Sequence, residues 1–306
     1  MYIHQAYKGN NQLWRFILTA SLTASMFIAN FIMYFFISKE QITEAYESMA
    51  KLPKHEVLIT NLLPFVFLLG LLFYLVRFLH QRNVLSLTTS RNKLDRKRIL
   101  FSFSLIILLN IICFVVSFFI DNSGIVWNFK PVQFLILFGI SILMFPFQIA
   151  FEECLFRGYL MQQIGVLVKN SWFPLLFTSV VFGLFHSLNP EVDKLGFGVM
   201  AFYIGTGFLL GIITLMDDGL ELALGFHLGN NLVAALLITS DFSAIQTDAI
   251  FKYSAIQNPV DILNEMLVSV VIVYPIILII FVKKYGWKNW TERLTGKVIS
   301  PNVQLN

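Results

Sequence analysis

The sequence predicts an all-α fold, a polytopic membrane helix bundle of about eight transmembrane helices. Three observations predict it. Of the 306 residues, 57% are hydrophobic and only 13% charged, about half the charged fraction of a soluble globular chain. Apolar stretches of about 20 residues recur, the length that a hydrocarbon layer about 30 Å thick demands of a helix. The basic residues are shared unequally among the connections, as a membrane topology requires.

In order, the expected spans are 16–37, 57–78, 99–120, 132–152, 172–188, 195–216, 220–240 and 266–282. With the N-terminus inside, alternate assignment leaves 16 of the 22 Lys and Arg residues in cytoplasmic segments. Seven lie in or beside the second connection: Arg77, Arg82, Arg91, Lys93, Arg96, Lys97 and Arg98. Five more (Lys283, Lys284, Lys288, Arg293, Lys297) follow the last span. Excess Lys and Arg marks the cytoplasmic side, so both termini are expected inside a cell membrane. The first span is too long for a signal-peptide core and no small-residue cleavage site follows it. A formal charge of +4 reports topology here and indicates no nucleic-acid partner; the partner it implies is the bilayer.

Three segments are expected. Residues 1–130 hold helices one to three and the basic cytoplasmic loop, 131–240 form a core, and 241–306 hold an external loop, the last helix and a basic tail. The loops 39–56 and 241–265 read as solvated connections. Gly207 with Gly211, and Gly225 with Gly229, are spaced to let helices approach closely. Cys113 and Cys154 lie in or beside apolar segments, so Cys154 reads as a small packing residue rather than a nucleophile.

Few ionisable residues fall inside spans. An acid or arginine at membrane depth costs about 2.5–3.5 kcal/mol, so such residues usually have partners and a job. Three occur in 151-FEECLFRGYL-160. Glu153 and Arg157 are spaced i, i+4 and share a helix face, so they can pair. Glu152 points about 100° away, free of that partner and available as a general base. A second stretch, 182-FGLFH-186, puts Phe182 and His186 one turn apart. In a third, 227-HLGNN-231, His227 and Asn231 share one face, two donors aimed as an oxyanion requires. For each residue alone the plain alternative is a buried hydrogen-bonding side chain. Two His and two Glu in one half of the chain shift the balance towards a site.

Together these stretches resemble the CAAX-protease and bacteriocin-processing family of intramembrane proteases, which includes the prenyl-protein endopeptidases. The family pattern EExxxR, FxxxH, HxxxN is met in order by Glu152, Glu153 and Arg157, by Phe182 and His186, and by His227 and Asn231. The resemblance covers about residues 130–240 and implies an endopeptidase acting on a peptide or protein at the membrane. It implies that Glu152 with His186 activates a water, that His227 and Asn231 stabilise the oxyanion, and that Glu153 and Arg157 support them. A metal-free mechanism is favoured; if zinc is bound, Glu152, His186 and His227 are the ligands, although no HExxH run is present.

Span four runs outward to inward and span five returns, so Glu152 and His186 meet only if helix four continues past Arg157 to about Ile164. Span five must then start near Ser171, with a cavity opening to the cytoplasm. Pro146 is placed to kink helix four. Rich in Phe, Ile, Lys and Asn, the composition is that of a low-GC bacterium, which points to a leader peptide, a bacteriocin or pheromone precursor, or a signalling protein as substrate. Two other readings stand beside this one. One is an inactive scaffold or immunity protein of the same fold. The other is a proton-coupled transporter using Glu152 and His186 as a relay.

Overall fold

The computed structural model describes residues 1–34, 36–38, 40–41, 44, 48, 51–253 and 259–300. Phe35 of the first expected span, parts of the loops 39–56 and 241–265, and the last six residues of the 241–306 segment lie outside the described residues.

The fold is an all-α multi-pass bundle with a small sheet at one end. After a 3₁₀ turn, Ile3–Lys8, come α1 (Leu13–Thr23) and α2 (Ser25–Tyr34), bent by 66° at their junction. Next come α3 (Lys54–Leu79), the short α4 (Leu85–Thr88), and α5 (Arg96–Ile120), whose first turn is capped by the Asp95 carboxylate accepting from Lys97 N. Helix α6 (Pro131–Val168) starts with proline at its first turn, where the missing N–H has no role. The others are α7 (Trp172–Leu184), α8 (Pro190–Leu195), α9 (Val199–Asp217), α10 (Glu221–Leu236), α11 (Val260–Tyr285) and α12 (Trp290–Thr295).

Among the described residues five helices can by length and composition cross a membrane: α3, α5, α6, α9 and α11. The bent pair α1–α2 makes a sixth if it is one span. The expected count of eight is not reached, for a reason that matters to function. The expected spans 172–188 and 220–240 become helices of 13 and 16 residues. At 1.5 Å per residue these reach about 20 and 24 Å, short of the hydrocarbon thickness. Helix α7 stops at Leu184 before a series of turns. Helix α10 stops because Ile238–Thr239 join a sheet instead. That sheet has the order β1-β3-β2: β1 (Ile125–Trp127) runs antiparallel and β2 (Ile238–Thr239) parallel to β3 (Phe251–Tyr253). Its strands are rich in the β-branched and aromatic residues that suit a pleated surface.

Helix α6 is the spine. Its 38 residues extend about 57 Å, so it passes well beyond Arg157 as the motif geometry demands, and α7 begins directly after Ser171. A π segment, Cys154–Leu160, interrupts it where the charged motif sits; such bulges re-aim side chains and recur at functional sites. Helix α3 and helix α10 pack on α6, α10 also packs along α5, and α7 packs along α9. The expected small-residue faces make these contacts. A Cβ at Gly207 would stand 2.6 Å from the Ser179 carbonyl oxygen of α7, and one at Gly225 would strike the Ile99 carbonyl oxygen of α5. Cys154 is buried in the core around α6, while Cys113 faces outward on α5.

The basic second connection folds back on the bundle rather than hanging free. Arg82 is fully buried, its Nε donating to Ser86 Oγ at 2.5 Å and Nη2 to Gln162 of α6. Burial away from any carboxylate pushes its guanidinium down to about 10. The first residues close over this region: Tyr2 is buried and its hydroxyl donates to the Leu87 carbonyl.

Candidate active site

Four of the six expected site residues form one connected cluster. Arg157 Nη1 donates to Glu153 Oε1 at 3.0 Å, the i, i+4 pair on α6, and neither side chain has solvent exposure. Its Nη2 reaches the Gly207 carbonyl oxygen of α9 at 3.3 Å, and its guanidinium lies 4.2 Å from the Phe182 ring centroid, a cation–π contact in a desolvated place. One arginine thereby ties α6 to α7 and α9.

His227, on α10, stands between the two glutamates. Its Nδ1 donates to Glu153 Oε1 at 2.8 Å, while Nε2 faces Glu152 Oε2 at 3.6 Å. A carboxylate already holding an arginine can only accept, so Nδ1 carries the proton and Nε2 is turned towards Glu152. Glu152 Oε1 accepts from Gln148 Nε2 one turn earlier at 3.1 Å. The i, i+4 reading thus matches the observed pair of Glu153 with Arg157, and among the described residues Glu152 forms no ion pair with an arginine. It missed that both acids meet the same imidazole.

His186 is placed differently from the expectation that put it within span five. It lies in the turn beyond Leu184, its Nδ1 donating to the Phe182 carbonyl oxygen at 2.8 Å. That bond assigns the proton to Nδ1 and leaves Nε2 a lone pair. No hydrogen bond or ion pair joins His186 to Glu152 among the described residues. The Phe182 ring lies between the two histidines, 4.9 Å from His186 and 6.0 Å from His227 between centroids. Asn231 follows His227 by one turn of α10, is partly exposed, and has no partner among the described residues.

Three buried atoms here have no protein partner: Glu153 Oε2, Arg157 Nε and Gln148 Oε1. Most buried polar groups are satisfied, so this spare capacity suits a water or a polar group of a substrate. For zinc, three or four donors would have to converge at about 2.0–2.2 Å, and among the described residues no group of three or more His, Cys, Asp and Glu is so arranged.

Two further residues belong to the cluster. Gln148 was within reach of sequence reasoning, being i−4 from Glu152 on one helix. Tyr203 was not. Its ring stacks on His186 at 4.4 Å and 22°, and its hydroxyl lies between Asn189 Nδ2 (3.3 Å) and Glu191 Oε1 (3.4 Å). That meeting needs the turn 185–189, which no periodicity foretells.

Comparison with known proteins finds a match over the same part of the chain. Residues 131–233 match the family model described as "Rce1-like: Type II CAAX prenyl endopeptidase Rce1-like", a range running from the start of α6 to just past Asn231. The chain is 28% identical over 240 residues to "Uncharacterized protein YyaK" of Bacillus subtilis (strain 168), covering 76% of this chain and 80% of the relative. No solved structure matches. Glu152, Glu153, Arg157, His186, His227 and Asn231 therefore all fall within the segment that is similar to this family model.

Proposed function

We propose that this protein is an intramembrane endopeptidase that hydrolyses a peptide bond of a membrane-associated peptide or protein, without a metal. The observation that carries the proposal is the chain Arg157–Glu153–His227–Glu152, in which a fixed imidazole presents Nε2 to a second, arginine-free carboxylate. Two acceptors facing each other at 3.6 Å need a proton between them, and a water donating to Glu152 supplies it. His186, its proton fixed on Nδ1, offers Nε2 as a second acceptor for that water.

The water oxygen attacks the carbonyl carbon while Glu152 takes its proton. Negative charge collects on the former carbonyl oxygen, where the Asn231 amide donates to it and His227, sharing through Nε2 the proton that Glu152 has taken, adds a second donor. The proton passes from Glu152 to the leaving nitrogen, the C–N bond breaks, and a carboxylic acid and an amine result, which leave as carboxylate and ammonium once the acid's proton moves to the amine. Glu153 holds the His227 tautomer, and Arg157 keeps Glu153 ionised. Both termini are cytoplasmic in this reading, and the substrate is a leader peptide, a bacteriocin or pheromone precursor, or the membrane end of a signalling protein in a bacterium.

The test uses the purified chain in liposomes with a fluorogenic library of peptides carrying an apolar anchor. Wild-type protein cleaves a subset, in chelator as well as without it, and Glu152→Gln does not. Retained cleavage by Glu152→Gln sinks the mechanism. No cleavage by either protein favours the inactive scaffold, and proton flux lost in Glu152→Gln favours the transporter.

A further inference from the structure

The basic end of the bundle holds a cavity that shares no lining residue with the candidate active site. Its volume is ≈ 360 Å³, and its charged lining is Arg91, Arg98, Lys288 and Arg293 against Asp217 and Asp218. The chain builds it from the basic connection before α5 and the first turn of α5, the end of α9, the turn after α11, where Gly286 takes a left-handed φ of 63° that costs glycine little, and α12. We propose that this cavity binds a phosphate-bearing anion, and that its position favours the headgroup of an anionic lipid.

The argument is a donor count. Arg91 is spent: Nη1 bonds Thr89 and Glu221, and Nη2 bonds the Asp217 carbonyl and carboxylate. Arg98 pairs through Nη1 with Asp217 and lies by Asp95 through Nε, which leaves Nη2 without a protein acceptor among the described residues. Arg293 uses only Nη1, on Asp218 and two carbonyls of α9. Lys288 has no partner among the described residues. The two acids are therefore already held by arginine edges, while three guanidinium nitrogens (Arg98 Nη2, Arg293 Nη2 and Nε) and one ammonium remain unclaimed among the described residues. Unspent guanidinium and ammonium donors around one cavity are the chemistry that recognises phosphate oxygens.

Location selects the source. Helices α9 and α11 end here and α5 and α10 begin here, so the cavity lies where spans leave the bilayer. Tyr285 stacks beneath the Arg98 guanidinium at 4.1 Å, and the Trp287 indole donates to Asp217; such aromatics belong at the headgroup level. Basic pockets between transmembrane helices on this side of a bundle take lipid headgroups. A zwitterionic headgroup would bring its own cation against Lys288, which the anionic lipid avoids.

The experiment is native mass spectrometry of the full chain in detergent, titrated with phosphatidylglycerol, phosphatidylcholine or inorganic phosphate at fixed ionic strength. Phosphatidylglycerol is expected to bind in preference to phosphatidylcholine. Lys288→Gln, at a side chain with no structural bond to lose, is expected to weaken it about fivefold, the effect of one interfacial cation. Lys130→Gln at the opposite end serves as control and leaves binding unchanged. Binding of inorganic phosphate without lipid preference supports the anion site and overturns the lipid source. Equal binding of both lipids, or equal loss in both variants, overturns the proposal.

Discussion

Helix α10 carries two clusters of charge, at Glu221 and at His227, six residues or about 9 Å apart. They are built on opposite terms. At Glu221 the acids are over-satisfied: Glu221 accepts from Arg91 and from Asp95 N, while Asp217 accepts from Arg91, Arg98 and Trp287. Water still reaches the cations there, the Arg91 and Arg98 side chains being 27% and 20% exposed. At His227 the ions are sealed, with Glu153 and Arg157 both at 0%, yet buried donors and acceptors are left over. Repeated pairing in a partly wet place fastens helices together. Incomplete pairing in a dry place is costly in structure and becomes useful only when a reactant completes it.

Substitutions separate the two. The largest effect is on cleavage: Glu152→Gln removes the proton acceptor and should lower the rate by at least about 10²-fold, with the melting temperature little changed. Glu221→Gln should leave cleavage in place and lower stability by about 1–3 kcal/mol, through a weakened buried ion pair. If both abolish cleavage while the fold survives, the contrast between the clusters is wrong.

Next in size is the arginine comparison, read by unfolding in detergent. Arg157→Met leaves Glu153 buried and uncompensated, a loss of about 3–5 kcal/mol. Arg91→Gln, at a partly solvated site where Asp217 keeps Arg98 and Trp287 and Glu221 keeps Asp95 N, should cost less, about 1–3 kcal/mol. Equal losses would show that water does not distinguish the two ends. Gly207→Val probes the packing that sets the Arg157 anchor, since its Cβ meets the Ser179 carbonyl; forcing α7 and α9 apart should cost about 1–3 kcal/mol. The measurement is the same unfolding curve, and an unchanged midpoint would mean that this helix pair is free to separate.

The smallest effect is one of pH. His80 is buried against Thr19 and Tyr159, and burial holds its imidazole below the ordinary 6.5. The folded chain keeps it neutral while the unfolded chain takes up a proton. Stability is therefore full above about pH 6.5 and falls as pH drops below it. In His80→Gln that share of the slope should vanish; an identical slope in both proteins would assign it to other groups.

Much of the site was legible before the structure because it rests on single helices. The Glu153–Arg157 pair follows from i, i+4 spacing, and the passage of α6 beyond Arg157 follows from asking how Glu152 could reach the next helix. The close approaches at Gly207 and Gly225 follow from small residues repeated every four positions. What failed was length: hydropathy joined Ile238–Thr239 to α10 and residues 185–188 to α7, since an apolar run looks alike as a helix end, a strand or a turn.

The sequence by itself determined that this is a multi-pass helical membrane chain, which of its charges lie in apolar surroundings, and which of these share a helix face. All three rest on the cost of charge in hydrocarbon and on the 3.6-residue turn, and both are properties of local sequence. Only the tertiary structure decided that His227, rather than His186, meets Glu152, that Tyr203 backs His186, and that the basic connection folds onto α9 and α10. Those are contacts between elements far apart in the chain, fixed by how short helices nest inside long ones, and no periodicity within a segment encodes them.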